Sequence, residues 1–246
     1  MSGGHFIITG TSRGIGEQLA RMLLKKGHIV YGIARGRSES LGSFPNYKHH
    51  AYDLNDTLGL ERLMDKVFEE MDLDHADMIC LINNASMLEP LKRIENCDTK
   101  EIHSNLQISL VAPMLLTSCF IQKTEGLSVR KKIINISSGS GVYPAPTMSA
   151  YCTAKAGIQM FTQSVGAEQK TQQSPVEIIA VNPGMVDTEM QRVAREKNEQ
   201  EFQMAQAFAH AFESGQLVST EDIGAQLLHI IDKDFEPGSI VNANEF

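Results

Sequence analysis

The chain has 246 residues, 42% hydrophobic and 21% charged, with 19 Gly and 8 Pro, a composition that excludes a disordered or fibrous protein and suits one α/β domain with a well-buried core. Acidic residues number 30 against 22 Lys plus Arg, for a net charge of -8. No basic run exceeds Arg130-Lys131-Lys132, so nucleic acid and anionic membranes are disfavoured as partners.

The longest apolar runs, Met78 to Ile82 and Val111 to Leu116, fall far short of the roughly 20 residues that span a bilayer. The N-terminus has no basic leader before Phe6-Ile7-Ile8, so a cytoplasmic location is expected. The cysteines at 80, 97, 119 and 152 form no CxxC pair, which suits reduced structural thiols and no metal site. The eight histidines are scattered and read as surface or loop residues.

In chain order, strand-like runs are expected at His5 to Thr9, His28 to Ile33, Tyr47 to Tyr52, Met78 to Ile82, Lys132 to Ser137, Val176 to Val181 and Ser239 to Asn242. Between them, apolar residues spaced three and four apart predict helices over Ile15 to Lys26, Leu58 to Met71, Lys100 to Thr124, Ser149 to Gln169 and Thr220 to Ile231. This alternation predicts an α/β fold, a single doubly wound Rossmann-type domain over 1–246 with a seven-stranded parallel sheet and helices on both faces. Two stretches break the pattern: the polar loop Gly36 to Asn46, and Asp187 to Ser219, long enough for a helical segment covering the substrate. In the latter, Met190, Val193, Phe202, Met204, Phe208 and Phe212 are candidates to face an apolar substrate, with Leu88, Val142, Tyr143 and Met185 beside them.

The first strand runs into Gly10-Thr11-Ser12-Arg13-Gly14-Ile15-Gly16 and then a helix. Glycines at a strand-to-helix turn permit positive φ and close backbone approach, and the helix N-terminus offers free N–H groups to a pyrophosphate. At the end of the second strand, an acidic residue would bind an adenosine ribose and favour NAD. Here the sequence is Ile33-Ala34-Arg35-Gly36-Arg37, without a carboxylate. Arg35, assisted by Arg13, is placed to pair with a 2′-phosphate, which predicts NADPH/NADP+.

Tyr151 and Lys155 lie four apart and share one face of a helix. Ser138 follows the fifth strand at the carboxyl edge of the sheet, where ligands of open α/β folds bind. The three suit reduction of a carbonyl: a phenol supplies a proton to the developing alkoxide, an ammonium is expected to lower that phenol's pKa, and a serine hydroxyl orients the carbonyl oxygen.

Thr9-Gly10-x3-Gly14-Ile15-Gly16, Asn83-Asn84-Ala85, Ser138, Tyr151-x3-Lys155 and Asn182-Pro183-Gly184, in this order over nearly the whole chain, resemble the short-chain dehydrogenase/reductase family. The resemblance implies that Asp53-Leu54 flank the adenine, that Asn83, Asn84 and Ala85 support the cofactor and central strand, and that Pro183, Gly184 and Val186 meet the nicotinamide amide. It also implies that Thr188 touches the cofactor, that Lys155 hydrogen-bonds the nicotinamide ribose, and that the protein is a homodimer or homotetramer packed through the helices around Asn105 and Gln159. Two departures stand out. Ser86 replaces the usual glycine after Asn-Asn-Ala, and the family's catalytic asparagine is matched by Ser109, with Asn105 one turn earlier as the alternative. Within the family, Leu81 to Ala85, Pro90 to Arg93, Ala150 to Gly157 and Asp187 to Met190 are similar to the benzil reductase group, related to the sepiapterin reductases. That implies reduction of one carbonyl of a small apolar or aromatic α-diketone. The alternatives are a 3-oxoacyl carrier-protein reductase, a polyol or sugar dehydrogenase, or a non-catalytic NADP-sensing protein.

Overall fold

The computed structural model describes residues 3–246. Its seven strands are β1 (Gly3–Thr9), β2 (Ile29–Ala34), β3 (Tyr47–Ala51), β4 (Ala76–Asn83), β5 (Arg130–Ile136), β6 (Glu177–Asn182) and β7 (Ile240–Asn242). All pairings are parallel, in the order β3-β2-β1-β4-β5-β6-β7. The chain therefore builds outward from β1 to β3, then returns to start again at β4 beside β1. The two strands diverge in their onward connections at this junction, leaving a crevice at their carboxyl ends.

Residues on successive positions of β1 face opposite layers, so a strand buried on both sides reads as a continuous apolar run rather than an alternating one. Phe6 and Ile8 join the cluster built on α1 (Gly14–Lys25) and α9 (Thr220–Asp232), with Leu19, Leu23 and Leu227. Ile7 joins the other cluster, with Leu63 and Met64 from α3 (Leu60–Glu69) and Leu116 and Phe120 from α5 (Ala112–Lys123). Each such fully buried aliphatic side chain contributes about 1.5–3 kcal/mol relative to exposure.

The expected helix over Lys100 to Thr124 is three segments in one rod. It comprises α4 (Thr99–Leu106), a π-helical turn at Gln107–Val111, and α5. Pro113 lies in the first turn of α5 and has no N–H for the carbonyl of Ser109, while the Ala112 N–H reaches back to Gln107 O; the wider turn follows from that missing donor. By length and composition this rod, Thr99–Lys123, could cross a membrane, a result that individual apolar runs did not foreshadow. Its Ala112, Leu116 and Phe120 are fully buried in the core.

The loop Gly36 to Asn46 contains a short helix, α2 (Glu39–Gly42), and the insertion after β6 carries α7 (Glu189–Arg195) and α8 (Ala205–Glu213). The remaining helix, α6 (Ser149–Gln169), has the boundaries its sequence pattern predicts. Three histidines depart from the surface or loop reading because they lie in strands, His5 on β1 and His49 and His50 on β3. His5 is buried and bonded to the Tyr31 hydroxyl at 3.0 Å, and His28 accepts from Gly4 N at 3.1 Å. Burial lowers the pKa of both, as it does for His49 and His50 on β3. No cluster of three or more metal-binding side chains exists among the described residues, and all four cysteines are free.

Candidate active site

Two turns are stitched together across the β1–β4 crevice. Thr9 Oγ1 accepts from the Asn84 N–H at 3.0 Å and the Ala85 N–H at 2.9 Å, while the Asn84 side-chain amide donates to Thr9 O at 2.9 Å and Gly10 O at 3.3 Å. Gly10 and Gly14 adopt φ of 75° and 62°, which L side chains seldom enter. A Cβ on Gly16 would lie 2.4 Å from Gly10 O and 2.5 Å from Asn84 Nδ2. The turn is thus built to bring backbone close to backbone. Arg13, at the N-cap of α1, makes no side-chain cap, so the first N–H groups of the helix remain free for an anion.

Around this turn, Ser12 stands beside Gly36, and the Thr188 methyl lies 3.6 Å from a Cβ placed on Gly14. Arg13 and Arg35 are exposed and make neither an ion pair nor a side-chain hydrogen bond with any described residue. Ile15 packs partly buried against the α1/α9 core. Asp53 is exposed at the end of β3, its Oδ1 accepting from Asn55 N at 3.0 Å, and Leu54 is buried. Asn83 stands apart from these residues. Its amide donates to Asn135 Oδ1 at 2.8 Å and reaches Thr117, bracing β4 against β5 beneath the crevice. A polar cleft of about 430 Å³ opens beside Gly14 and Thr188, between α1 and α7.

Ser138, Tyr151 and Lys155 come together at the carboxyl end of β5. Ser138 has an extended backbone, and its Oγ accepts from Ser140 N at 3.1 Å. Tyr151 and Lys155 are both buried in the first turns of α6. Lys155 Nζ donates to Ile136 O at 2.8 Å and stands 5.5 Å from the centre of the Tyr151 ring. Thr147, just upstream, holds φ of 66°, an unusual conformation for a β-branched residue and a strained entry to this helix.

Burial pushes the Tyr151 phenol up to about 12, with the Ser138 hydroxyl acting in the opposite direction. Burial also pushes the Lys155 ammonium down to about 8. The phenol therefore lies above its ordinary value, contrary to the depression expected from Lys155. The ammonium sits over the ring face and donates to a backbone carbonyl, while a water-poor site penalises charge on either group. A protonated phenol at neutral pH is a proton donor.

Ser109 lies inside the π-helical turn and is buried. Its Oγ accepts from Met87 N at 2.9 Å and lies 3.2 Å from Ser86 Oγ. Asn105 is fully buried, and its amide donates to Met87 O and Glu89 O at 2.7 Å each. Both candidates therefore hold the loop that follows Asn83-Asn84-Ala85, and the Asn105 amide is committed to it.

Beyond β6, Gly184 has φ of 73° and its N–H donates to Asn182 Oδ1 at 3.1 Å. Val186 bridges to Val218, with Asp187 N donating to Val218 O and Val218 N to Met185 O at 2.9 Å each. This bridge staples the two ends of the α7–α8 insertion together. Leu88, Leu91, Met148 and Tyr151 form a separate apolar cluster with Phe202, against which Met190, Met204 and Phe208 pack partly buried. Phe202 is fully buried and acts as packing. Phe212 is exposed beneath the Arg195 guanidinium, 3.9 Å from its ring, and Val142, Tyr143 and Met185 are exposed nearby in sequence to the site residues.

Two residues named from sequence take roles there that it did not assign. Thr9 is the acceptor that joins the two turns. Gln159, one helical turn past Lys155, donates its amide to Ser137 Oγ at 2.8 Å and Ser138 O at 3.1 Å. Its i+4 spacing from Lys155 was the available signal, but periodicity does not reveal which way an amide turns.

The short chain dehydrogenase family model matches residues 5–199. The chain is 37% identical to a benzil reductase ((S)-benzoin forming) of Bacillus cereus, covering 98% of this chain and 99% of that one. It is 30% identical to the sepiapterin reductase of Meriones unguiculatus, covering 96% and 94%. Its fold superposes on a short chain dehydrogenase/reductase of Saccharomyces cerevisiae with a TM-score of 0.79 at 24% identity, over 98% and 96% of the two chains. With the glycine turn, the Ser138, Tyr151 and Lys155 cluster and a parallel sheet in this strand order, the chain belongs to the short-chain dehydrogenase/reductase family and is an oxidoreductase that works with a nicotinamide cofactor.

Proposed function

We propose that this protein is an NADPH-dependent carbonyl reductase that reduces one carbonyl of a small apolar or aromatic α-diketone, such as benzil, to a hydroxy ketone. The observation that carries this reading is the placement of buried Tyr151, protonated at neutral pH, against an apolar cluster formed with the α7–α8 insertion. The benzil reductase relative supports the substrate class.

The residues fit the cofactor. The positive-φ glycines and the uncapped α1 terminus suit a pyrophosphate, and the unpaired Arg13 and Arg35 suit a 2′-phosphate. Asp53, Leu54, Asn84 and Ala85 would hold the adenine and ribose, Pro183, Gly184 and Val186 the nicotinamide amide, and Thr188, beside Gly14, the phosphates or the carboxamide. When bound, the cofactor supplies a hydride to the carbonyl carbon. Tyr151 gives its phenolic proton to the carbonyl oxygen, Ser138 Oγ donates a hydrogen bond that orients that oxygen, and Lys155 holds the ribose and restores the phenol's proton. Ser109 fills the position of the fourth catalytic residue, and the α7–α8 insertion covers the substrate. The assembly is a homodimer or homotetramer through α5 and α6. Asn105 and Gln159 turn inward, leaving Met114, Leu115 and Met160 as the large exposed apolar side chains of those helices.

Initial rates of NADPH and NADH oxidation with benzil test this reading, with Tyr151→Phe as the blank. Turnover with NADPH that vanishes in the variant supports it. Bound NADPH without turnover removes benzil from the proposal.

A pH dependence follows from the two buried groups. Tyr151 stays protonated up to about 12 and Lys155 loses its proton near 8. Reduction needs the proton, so its kcat should hold level below about pH 8 and decline above it. Oxidation of the hydroxy ketone needs phenolate, so its rate should keep rising with pH toward about 12, where the Tyr151 phenol ionises. A reduction rate that climbs between pH 7 and 10 would contradict the assignment.

A further inference from the structure

We infer that Gln159 is a positioning residue for the catalytic serine, holding the backbone of residues 137–138 so that Ser138 Oγ faces the substrate oxygen; this rests on the reductase reading above. Tyr151, Lys155 and Gln159 follow one another at four-residue spacing in α6, which places them on one stripe of the helix. Three consecutive residues at the end of β5 are gripped from that stripe. Lys155 Nζ holds Ile136 O at 2.8 Å, and Gln159 Nε2 holds Ser137 Oγ at 2.8 Å and Ser138 O at 3.1 Å.

The turn beyond is shaped around the same amide. A Cβ on Gly141 would stand 2.6 Å from Gln159 Nε2 and 2.8 Å from Lys155 O, so the turn closes directly onto the helix only with glycine there. Ser138 Oγ is itself engaged by Ser140 N at 3.1 Å within that turn. Its hydroxyl direction is thus set by the course of residues 137–141. Gln159 is the side chain that ties this course to the helix carrying the proton donor. Both donors of an amide group point at one loop, a use that a solvated helix glutamine does not show.

Removing the amide leaves a backbone carbonyl and a hydroxyl without their partner and frees the turn to shift. A displacement of about 1 Å in a reacting group costs up to about 100-fold in rate. Gln159→Leu is therefore expected to lower kcat for carbonyl reduction by about 10- to 100-fold, with the NADPH dissociation constant, read by fluorescence, nearly unchanged. Gln159→Met serves the same purpose should the leucine form fold poorly.

The deciding comparison is a double-mutant cycle with Ser138→Ala. If Gln159 acts through the serine, adding Gln159→Leu to Ser138→Ala costs little more. Equal costs in both backgrounds assign Gln159 a general structural role and overturn the inference, as does an unchanged kcat in a folded single variant. Wild-type turnover and its loss in Tyr151→Phe report on the reductase reading separately. A crystal structure of Gln159→Leu adds a readout independent of turnover: residues 137–141 displaced from α6 supports positioning, and an unmoved turn overturns it.

Discussion

Tyr151→Phe is expected to lower carbonyl reduction by about 10²–10⁴-fold, the usual worth of a positioned general acid, with little change in NADPH affinity. The substitution removes one oxygen from a ring buried among Leu88, Leu91 and Met148. Packing is retained because the ring stays. The polar partner of the phenol is the Ser138 hydroxyl, which keeps Ser140 N as a partner of its own, so no buried group is orphaned. The loss should appear in kcat and kcat/KM together, the pattern of an interaction made only in the transition state. Thermal unfolding and cofactor fluorescence provide the controls. A folded, NADPH-binding variant with turnover near wild type would remove Tyr151 from the proton-transfer step.

The second large effect is expected in cofactor choice. Arg13→Ala combined with Arg35→Ala should raise KM for NADPH by about 100-fold while leaving KM for NADH nearly unchanged. Hydrogen bonds to charged groups are worth about 1.5–3 kcal/mol each. Both side chains are exposed, so solvent screening reduces that to about 1–2 kcal/mol apiece, and each 1.4 kcal/mol is a factor of ten. Neither arginine has a protein partner among the described residues that would be left uncompensated, so stability should barely move. With the arginines paired to a 2′-phosphate, the proposed advantage of NADPH over NADH should also shrink with added salt. Steady-state kinetics with both cofactors at two ionic strengths checks this, and an unaltered preference in the double variant would dissociate the arginines from the 2′-phosphate.

Most of the scaffold was legible in the sequence because its signals are local. A strand covered on both faces must be apolar throughout, as Phe6-Ile7-Ile8 is, and glycines between that strand and a helix leave few alternatives to a phosphate-binding turn. Tyr151 and Lys155 could be paired because helical spacing alone places them together. The period also located α6 at Ser149–Gln169 and the insertion after β6.

What the sequence could not decide was how long-range packing orients polar groups. His5 read as a surface or loop residue, yet strand pairing draws it inside. Asn83 and Asn84 are neighbours with the same side chain; strand alternation sends Asn83 toward Asn135 beneath the crevice, while Asn84 reaches Thr9 and Gly10 on its floor. The break in the α4–α5 rod needed Pro113 to be seen four residues beyond Ser109, within one helix. Composition and periodicity thus determined the class of fold, the glycine turn and the spacing of Tyr151 and Lys155, all set by backbone geometry over a few residues. Only tertiary structure decided that Tyr151 lies above its ordinary pKa, that Asn105 is spent on the loop at 87–89, and that Gln159 grips the serine. Each of these depends on desolvation or on a hydrogen-bond partner distant in the chain, and neither leaves a periodic trace in sequence.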